Sequence, residues 1–179
     1  MKKIYLALTN TGTFVSNLIR KHTGDTYNHI SISLKRDLSA MYSFGRLNPY
    51  VFFYGGFVVE SPTTGTFKRF RKTVARIYEL EIDDAAFSVI EQEIARFVAE
   101  KKRFGYNYRG IFKARKNVNF QKNENRFYCS QFVHFLLVKS NVISRHRFDG
   151  VVTPEKLSSI EGLNLIYEGL LREYDPAST

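Results

Sequence analysis

Hydrophobic and polar residues alternate through several short stretches of the chain and recur at helical spacing in a few longer ones. "HISISL" gives the clearest alternation. His29, Ser31 and Ser33 fall on one side and Ile30, Ile32 and Leu34 on the other, which is the period of a half-buried strand. A polar turn at "KRDLS" and a second strand, "AMYSFGR", complete a hairpin. "KKIYLALT" before it, and "FVVES" and "VARIYELEI" after it, read as further strands because they are rich in β-branched and aromatic residues. Phe14, Val15, Leu18 and Ile19 predict a short helix over Thr11–His22. Phe87, Ile90, Ile94 and Phe97 predict a longer amphipathic one from Asp84 to about Lys102, capped by Asp83 or Asp84.

"CSQFVHFLLVK", Cys129 to Lys139, is nearly apolar throughout, so the helix it predicts is central. Thr153-Pro154-Glu155 opens another short helix, since proline is well tolerated in a first helical turn. "LNLIYEGLLREY" closes the chain with a strand. Two stretches lack a period and read as loops: "LNPYVFFYGG", punctuated by Pro49, Gly55 and Gly56, and the basic segment 101–126. No repeat or Pro/Gly-rich linker divides the sequence. The expectation is one α+β domain over 1–179, a small antiparallel sheet or open barrel packed against helices.

Composition narrows the function. Hydrophobic residues make up 44% of the 179, so the chain folds, and no apolar run approaches the roughly 20 residues a membrane-spanning helix needs. The opening "MKKIYLALTN" imitates a signal peptide, but its apolar part stops after Leu8, so it reads as a first strand and the expected compartment is the cytoplasm. The net charge is +10. Basic residues cluster in "FKRFRKTVAR" (67–76) and across 101–126, where Glu124 is the lone acid; such a surface suits anionic partners, and equally a solvated face that aids solubility. No Gly-rich phosphate loop and no ligand cluster is written in the sequence, so neither a cofactor nor a metal is expected.

Cys129 is the only cysteine, which leaves it as a buried structural thiol or a nucleophile. "RFYCSQFVHFLL" favours the second. The segment before it is polar and loop-like, so the thiol stands where unsatisfied backbone N–H groups and the positive end of the helix dipole converge. That environment favours the thiolate, and the same N–H groups suit an oxyanion. A thiolate needs a proton carrier for its leaving group, and imidazole is the usual one. His29 heads a strand. His134 lies on the same helix about 140° round from Cys129 and points elsewhere, His22 sits near the end of a predicted helix, and His146 stands in the polar "SRHRF".

At these residues the sequence resembles the circularly permuted branch of the NlpC-type papain-like cysteine hydrolases, the YiiX-like group. Thr23-Gly24-Asp25-Thr26-Tyr27-Asn28-His29 is similar to that group's turn before the histidine. Tyr128-Cys129-Ser130-Gln131-Phe132-Val133 is similar to its "Y-C-S-E-L-V", Tyr106-Asn107-Tyr108 to an upstream "Y-x-Y-D", and Thr153-Pro154 to a trailing "T-P". The matches run in order from about residue 13 to 155. The resemblance implies a permuted papain-like fold in which Cys129 attacks a carbonyl carbon, with His29 as base and then acid. It also implies a third polar group that orients the imidazole. The family places a histidine or glutamate on the strand after the catalytic histidine. Here that position falls on Ser43, a weaker partner for an imidazolium, while Glu60 in "FVVES" is the nearest carboxylate on a neighbouring predicted strand. Position favours Ser43 and chemistry favours Glu60. Tyr106, Tyr108 and Tyr128 are candidates for lining the pocket.

The expected function is therefore that of a cysteine hydrolase or acyltransferase. It would act on an amide, peptide or ester through a thioester on Cys129, the substrate being a peptide, an acyl-amide or a lipid-like molecule, anionic in keeping with the basic segment. The rival expectation is a papain-like binding protein with little or no turnover, its basic surface engaging nucleic acid or another anionic partner. Ser43 in place of a stronger orienting group is the feature that favours the rival.

Overall fold

The structure, a computed structural model, describes residues 1–11, 26–48, 54–108 and 125–178. The helix expected over Thr11–His22 and the middle of the basic segment lie outside them, as do most of the loop after Leu47 and the beginning of the turn before His29.

The described chain is mixed α+β: an open eight-stranded sheet and four α-helices. In chain order the elements are β1 (Lys2–Asn10), β2 (His29–Ser33), β3 (Met41–Arg46), β4 (Gly55–Glu60), α1 (Gly65–Arg69), β5 (Val74–Ile82) and α2 (Asp84–Ala99). A 3₁₀ turn at Lys101–Arg103 leads to β6 (Gly105–Tyr106) and β7 (Arg126–Phe127). Then come α3 (Cys129–Lys139), α4 (Pro154–Leu157), β8 (Asn164–Leu170) and a 3₁₀ turn at Leu171–Glu173. The strands lie in the order β7-β6-β4-β3-β2-β1-β5-β8, and every neighbouring pair is antiparallel except β6 with β7. Among the described residues no helix is long and apolar enough to cross a membrane.

Alternation sorts the sheet into two covered faces. Ile4, Leu6 and Leu8 of β1, Ile30 and Ile32 of β2, Phe44 of β3 and Phe57 of β4 pack in one cluster with Phe97 of α2 and Phe132, Val133 and Leu136 of α3. Phenylalanine fills this core: the Phe97 ring lies 4.2 Å from Phe104 and 4.9 Å from Phe132, centroid to centroid. The opposite face carries Tyr5, Ala7, Met41, Ala75 and Ile77, covered by Phe67 of α1 and by Leu171.

The helices start where their capping residues dictate. Asp83 accepts the Ala86 N–H at 2.7 Å and begins α2, and Thr153 accepts the Lys156 N–H at 3.2 Å to begin α4. Helix α1 escapes a reading by periodicity, because it is a single turn whose only buried side chain is Phe67. The basic segment is likewise not all loop: its described ends hold the 3₁₀ turn, β6 and β7.

Candidate active site

Helix α3 begins at the cysteine because its first turn is fixed from three sides. The Gln131 Oε1 accepts the Tyr128 N–H at 3.2 Å and the Asn107 Nδ2–H at 3.0 Å, which caps the helix and ties it to the end of β6. Ser130 donates through Oγ to the Val152 carbonyl at 2.9 Å. The segment just beyond Val152 also reaches the histidine side, where Glu155 Oε1 accepts the Tyr27 N–H at 3.3 Å. The residues around the matching "T-P" pair thus brace both halves of the site.

His29 opens β2, paired across the sheet with Thr9. The β2–β3 ladder runs over Ile32↔Tyr42 and Ser33↔Met41, and the strands part before Ile30. Strand parting leaves backbone groups of Ile30 without a strand partner on that side. Two side chains take them up. Ser43 Oγ donates to the Ile30 carbonyl at 2.6 Å, and the Ile30 N–H faces the Cys129 sulfur. Cys129 and His29 lie close enough for each to shift the other's proton affinity, and the Ser130 N–H also faces the sulfur. The structure therefore brings together two side chains a hundred positions apart in sequence.

His29 Nε2 lies 2.9 Å from Glu60 Oε2. Ser31 Oγ donates to the same Glu60 oxygen at 3.0 Å and lies 3.2 Å from His29 Nε2. The expectation that position makes Ser43 the orienting group is corrected. Its hydroxyl is committed to the Ile30 carbonyl, and Glu60 is the group beside the imidazole. Ser31, which sequence reasoning did not single out, stands two residues from His29, where alternation puts it on the same face of β2.

These contacts set the protonation states. Burial alone would push His29 down, but the Glu60 charge and hydrogen bonds with Cys129 and Glu60 outweigh it and raise the imidazole to about 10. Burial alone would push the Cys129 thiol up. The hydrogen bond and charge of His29, followed by the Ile30 and Ser130 N–H groups, bring it below its ordinary value instead. Both shifts favour the thiolate–imidazolium form of the pair over the neutral one. The cysteine residue is 6% exposed and touches the aromatic core, yet its sulfur is met by polar hydrogens rather than by hydrocarbon alone.

The three tyrosines sit unequally. Burial and then the Cys129 charge push the Tyr106 and Tyr128 phenols up, so both stand within electrostatic reach of the sulfur. Tyr108 stands behind Tyr106, the two rings 4.7 Å apart, and its shift owes nothing to the cysteine. Of the other histidines, His134 faces Phe148 at 6.1 Å, its Nε2 buried with no hydrogen-bond partner among the described residues, and burial lowers its pKa.

Two glycines leave room for this arrangement. A Cβ on Gly55 would lie 2.7 Å from Tyr108 Oη and 3.0 Å from both the Gly45 carbonyl oxygen and Tyr106 Cβ, closer than packed atoms allow. A Cβ on Gly45 would meet Val58 at 3.5 Å and His29 Cε1 at 3.6 Å, ordinary contact distances. Gly55→Ala is therefore expected to cost about 1–3 kcal/mol in urea unfolding, as overpacking does, and Gly45→Ala less than about 1 kcal/mol.

The chain matches no protein-family model, no curated protein and no solved structure.

Proposed function

We propose that the protein is a cysteine hydrolase or acyltransferase of permuted papain-like topology. The observation that carries this reading is the continuous contact from the Cys129 sulfur to the His29 ring and on to the Glu60 carboxylate at 2.9 Å. The order of the sequence matches that resemble the YiiX-like group supports it. The rival reading, a binding protein without turnover, leaned on Ser43 as the orienting group. With a carboxylate beside the imidazole, that support is gone.

In this mechanism the thiolate of Cys129 attacks the carbonyl carbon of an amide, peptide or ester. The N–H groups of the first turn of α3 are the nearest donors for the oxyanion. As the carbon–nitrogen or carbon–oxygen bond breaks, the His29 imidazolium gives its proton to the leaving amine or alcohol and a thioester remains on Cys129. His29, now neutral, takes a proton from water or another hydroxyl or amine nucleophile, which attacks the thioester. Collapse expels the thiolate and restores the imidazolium–thiolate pair. Glu60 holds the ring throughout.

Iodoacetamide tests the reading directly. The alkylation rate of Cys129 is expected to follow a midpoint well below the ordinary thiol value of about 8.5, and His29→Ala is expected to move that midpoint up toward it. A midpoint near 8.5 that His29→Ala leaves unchanged overturns the nucleophile. A screen of acyl-ester and aminoacyl substrates for Cys129-dependent release then identifies the bond.

A further inference from the structure

The end of the sheet that carries His29 also gathers positive charge. The registers His29↔Thr9 and Thr9↔Ala75 place the start of β5 level with the histidine, so the turn Arg71–Lys72 lies just beyond that end. Helix α1 approaches from the same side: the Phe67 ring stands 6.4 Å from the His29 ring, and Lys68 follows it, exposed. Arg71 and Lys72 are exposed as well. On the far flank Arg46 ends β3 opposite Gly55, the glycine against which Tyr106 and Tyr108 close.

The acids nearby are engaged. Glu168 binds Arg76 at 2.9 Å, Glu155 accepts the Tyr27 N–H, and Glu60 holds His29 and Ser31. Cations gathered beside a site raise the local concentration of anions there, and guanidinium and ammonium groups bind carboxylate and phosphate alike.

We propose that the acyl donor taken by the Cys129–His29 site carries an anionic group, carboxylate or phosphate, next to its scissile carbonyl, held by Lys68, Arg71 and Lys72 on one flank and Arg46 on the other. The proposal rests on Cys129 being the nucleophile and adds the charge of its substrate.

Two alkylating reagents of similar size and opposite character separate the claims: iodoacetate, an anion, and iodoacetamide, which is neutral. Relative to a free thiol, the iodoacetate-to-iodoacetamide rate ratio at Cys129 is expected to rise by about tenfold at low salt and to fall as salt is added. In the triple variant Lys68→Gln, Arg71→Gln, Lys72→Gln the ratio is expected to drop at least about threefold, and in Lys68→Arg, Lys72→Arg to hold. All these side chains are on the surface, so the fold tolerates the changes.

Protection of Cys129 from iodoacetamide by succinate assigns the anion as carboxylate, and protection by inorganic phosphate assigns it as phosphate. If neither protects, the proposal fails. It fails too if the ratio survives the triple substitution, because the preference then belongs to the imidazolium. Fast alkylation with no preference overturns the substrate charge and leaves the nucleophile standing. No reaction with either reagent near neutral pH overturns both.

Discussion

Glu60→Gln is expected to lower turnover by up to about 10⁴-fold, the loss that follows when the carboxylate behind a catalytic imidazole becomes an amide in a serine-protease triad. The two side chains have nearly the same shape, so the loss is one of charge. Glu60 Oε2 sits 2.9 Å from Nε2, and in the proposed reaction it stabilises the imidazolium until the leaving group takes its proton. An amide there stabilises that cation far less, and when turned by its own hydrogen-bond needs it presents N–H to N–H.

Ser43→Ala, by contrast, is expected to leave turnover within about tenfold and to cost about 1–3 kcal/mol of stability, because it strips the Ile30 carbonyl of its buried donor. Ser31→Ala should fall between them, since Glu60 keeps His29 but loses the second donor that fixes its oxygen. Steady-state rates on an ester substrate, read beside urea unfolding curves, check all three. If Glu60→Gln retains wild-type turnover, the carboxylate has no part in orienting the imidazole.

The misplacement of the third group shows where sequence reasoning stops. Period and composition were enough to read β1, β2, β3, β5 and α3, and with them the two residues on which the proposed function rests. His29 heads an alternating run, and Cys129 stands where a polar segment gives way to an apolar helix. The orienting group depends on something those patterns do not encode. Register sets Glu60 opposite Met41, on the face of the sheet that also carries Ser43 and Gly45, so counting along β3 reaches the right face. It reaches the wrong residue because β2 and β3 separate before Ile30, and Ser43 fills the resulting gap in the ladder. A longer side chain from the next strand then crosses to the imidazole. The one-turn helix α1, which sets Phe67 against the His29 ring, was hidden for a related reason: five residues are too few to display a period.

Turnover is expected to follow a bell with unusually wide shoulders. In the proposed mechanism the acid limb belongs to Cys129, whose pKa is depressed by His29 and by two backbone N–H groups, so activity should persist below the pH at which an ordinary thiol protonates. The alkaline limb belongs to His29, raised to about 10, beyond which no proton remains for the leaving group and the rate should drop tenfold per pH step. Glu60→Gln removes the charge that raises the imidazole, so it should pull the alkaline limb down as well as lower the plateau.

Stability follows the same protons with its own signs. The raised imidazole favours the folded chain fully below about 6.5 and loses that contribution as pH climbs to about 10. The depressed thiol favours it above about 8.5 and loses that contribution as pH falls through its folded value. Between about 6.5 and 8.5 the imidazole contribution falls while the thiol contribution rises, so the two slopes oppose each other and the unfolding free energy from this pair changes least there. Acidification below the plateau costs stability because the unfolded chain then binds the extra proton. Alkalinisation above it costs stability because the folded chain alone still holds one. Urea midpoints measured across pH should therefore show the plateau in wild type and lose it in Cys129→Ala, where the imidazole titrates without its partner. A plateau that survives in that variant would mean the proton was never shared.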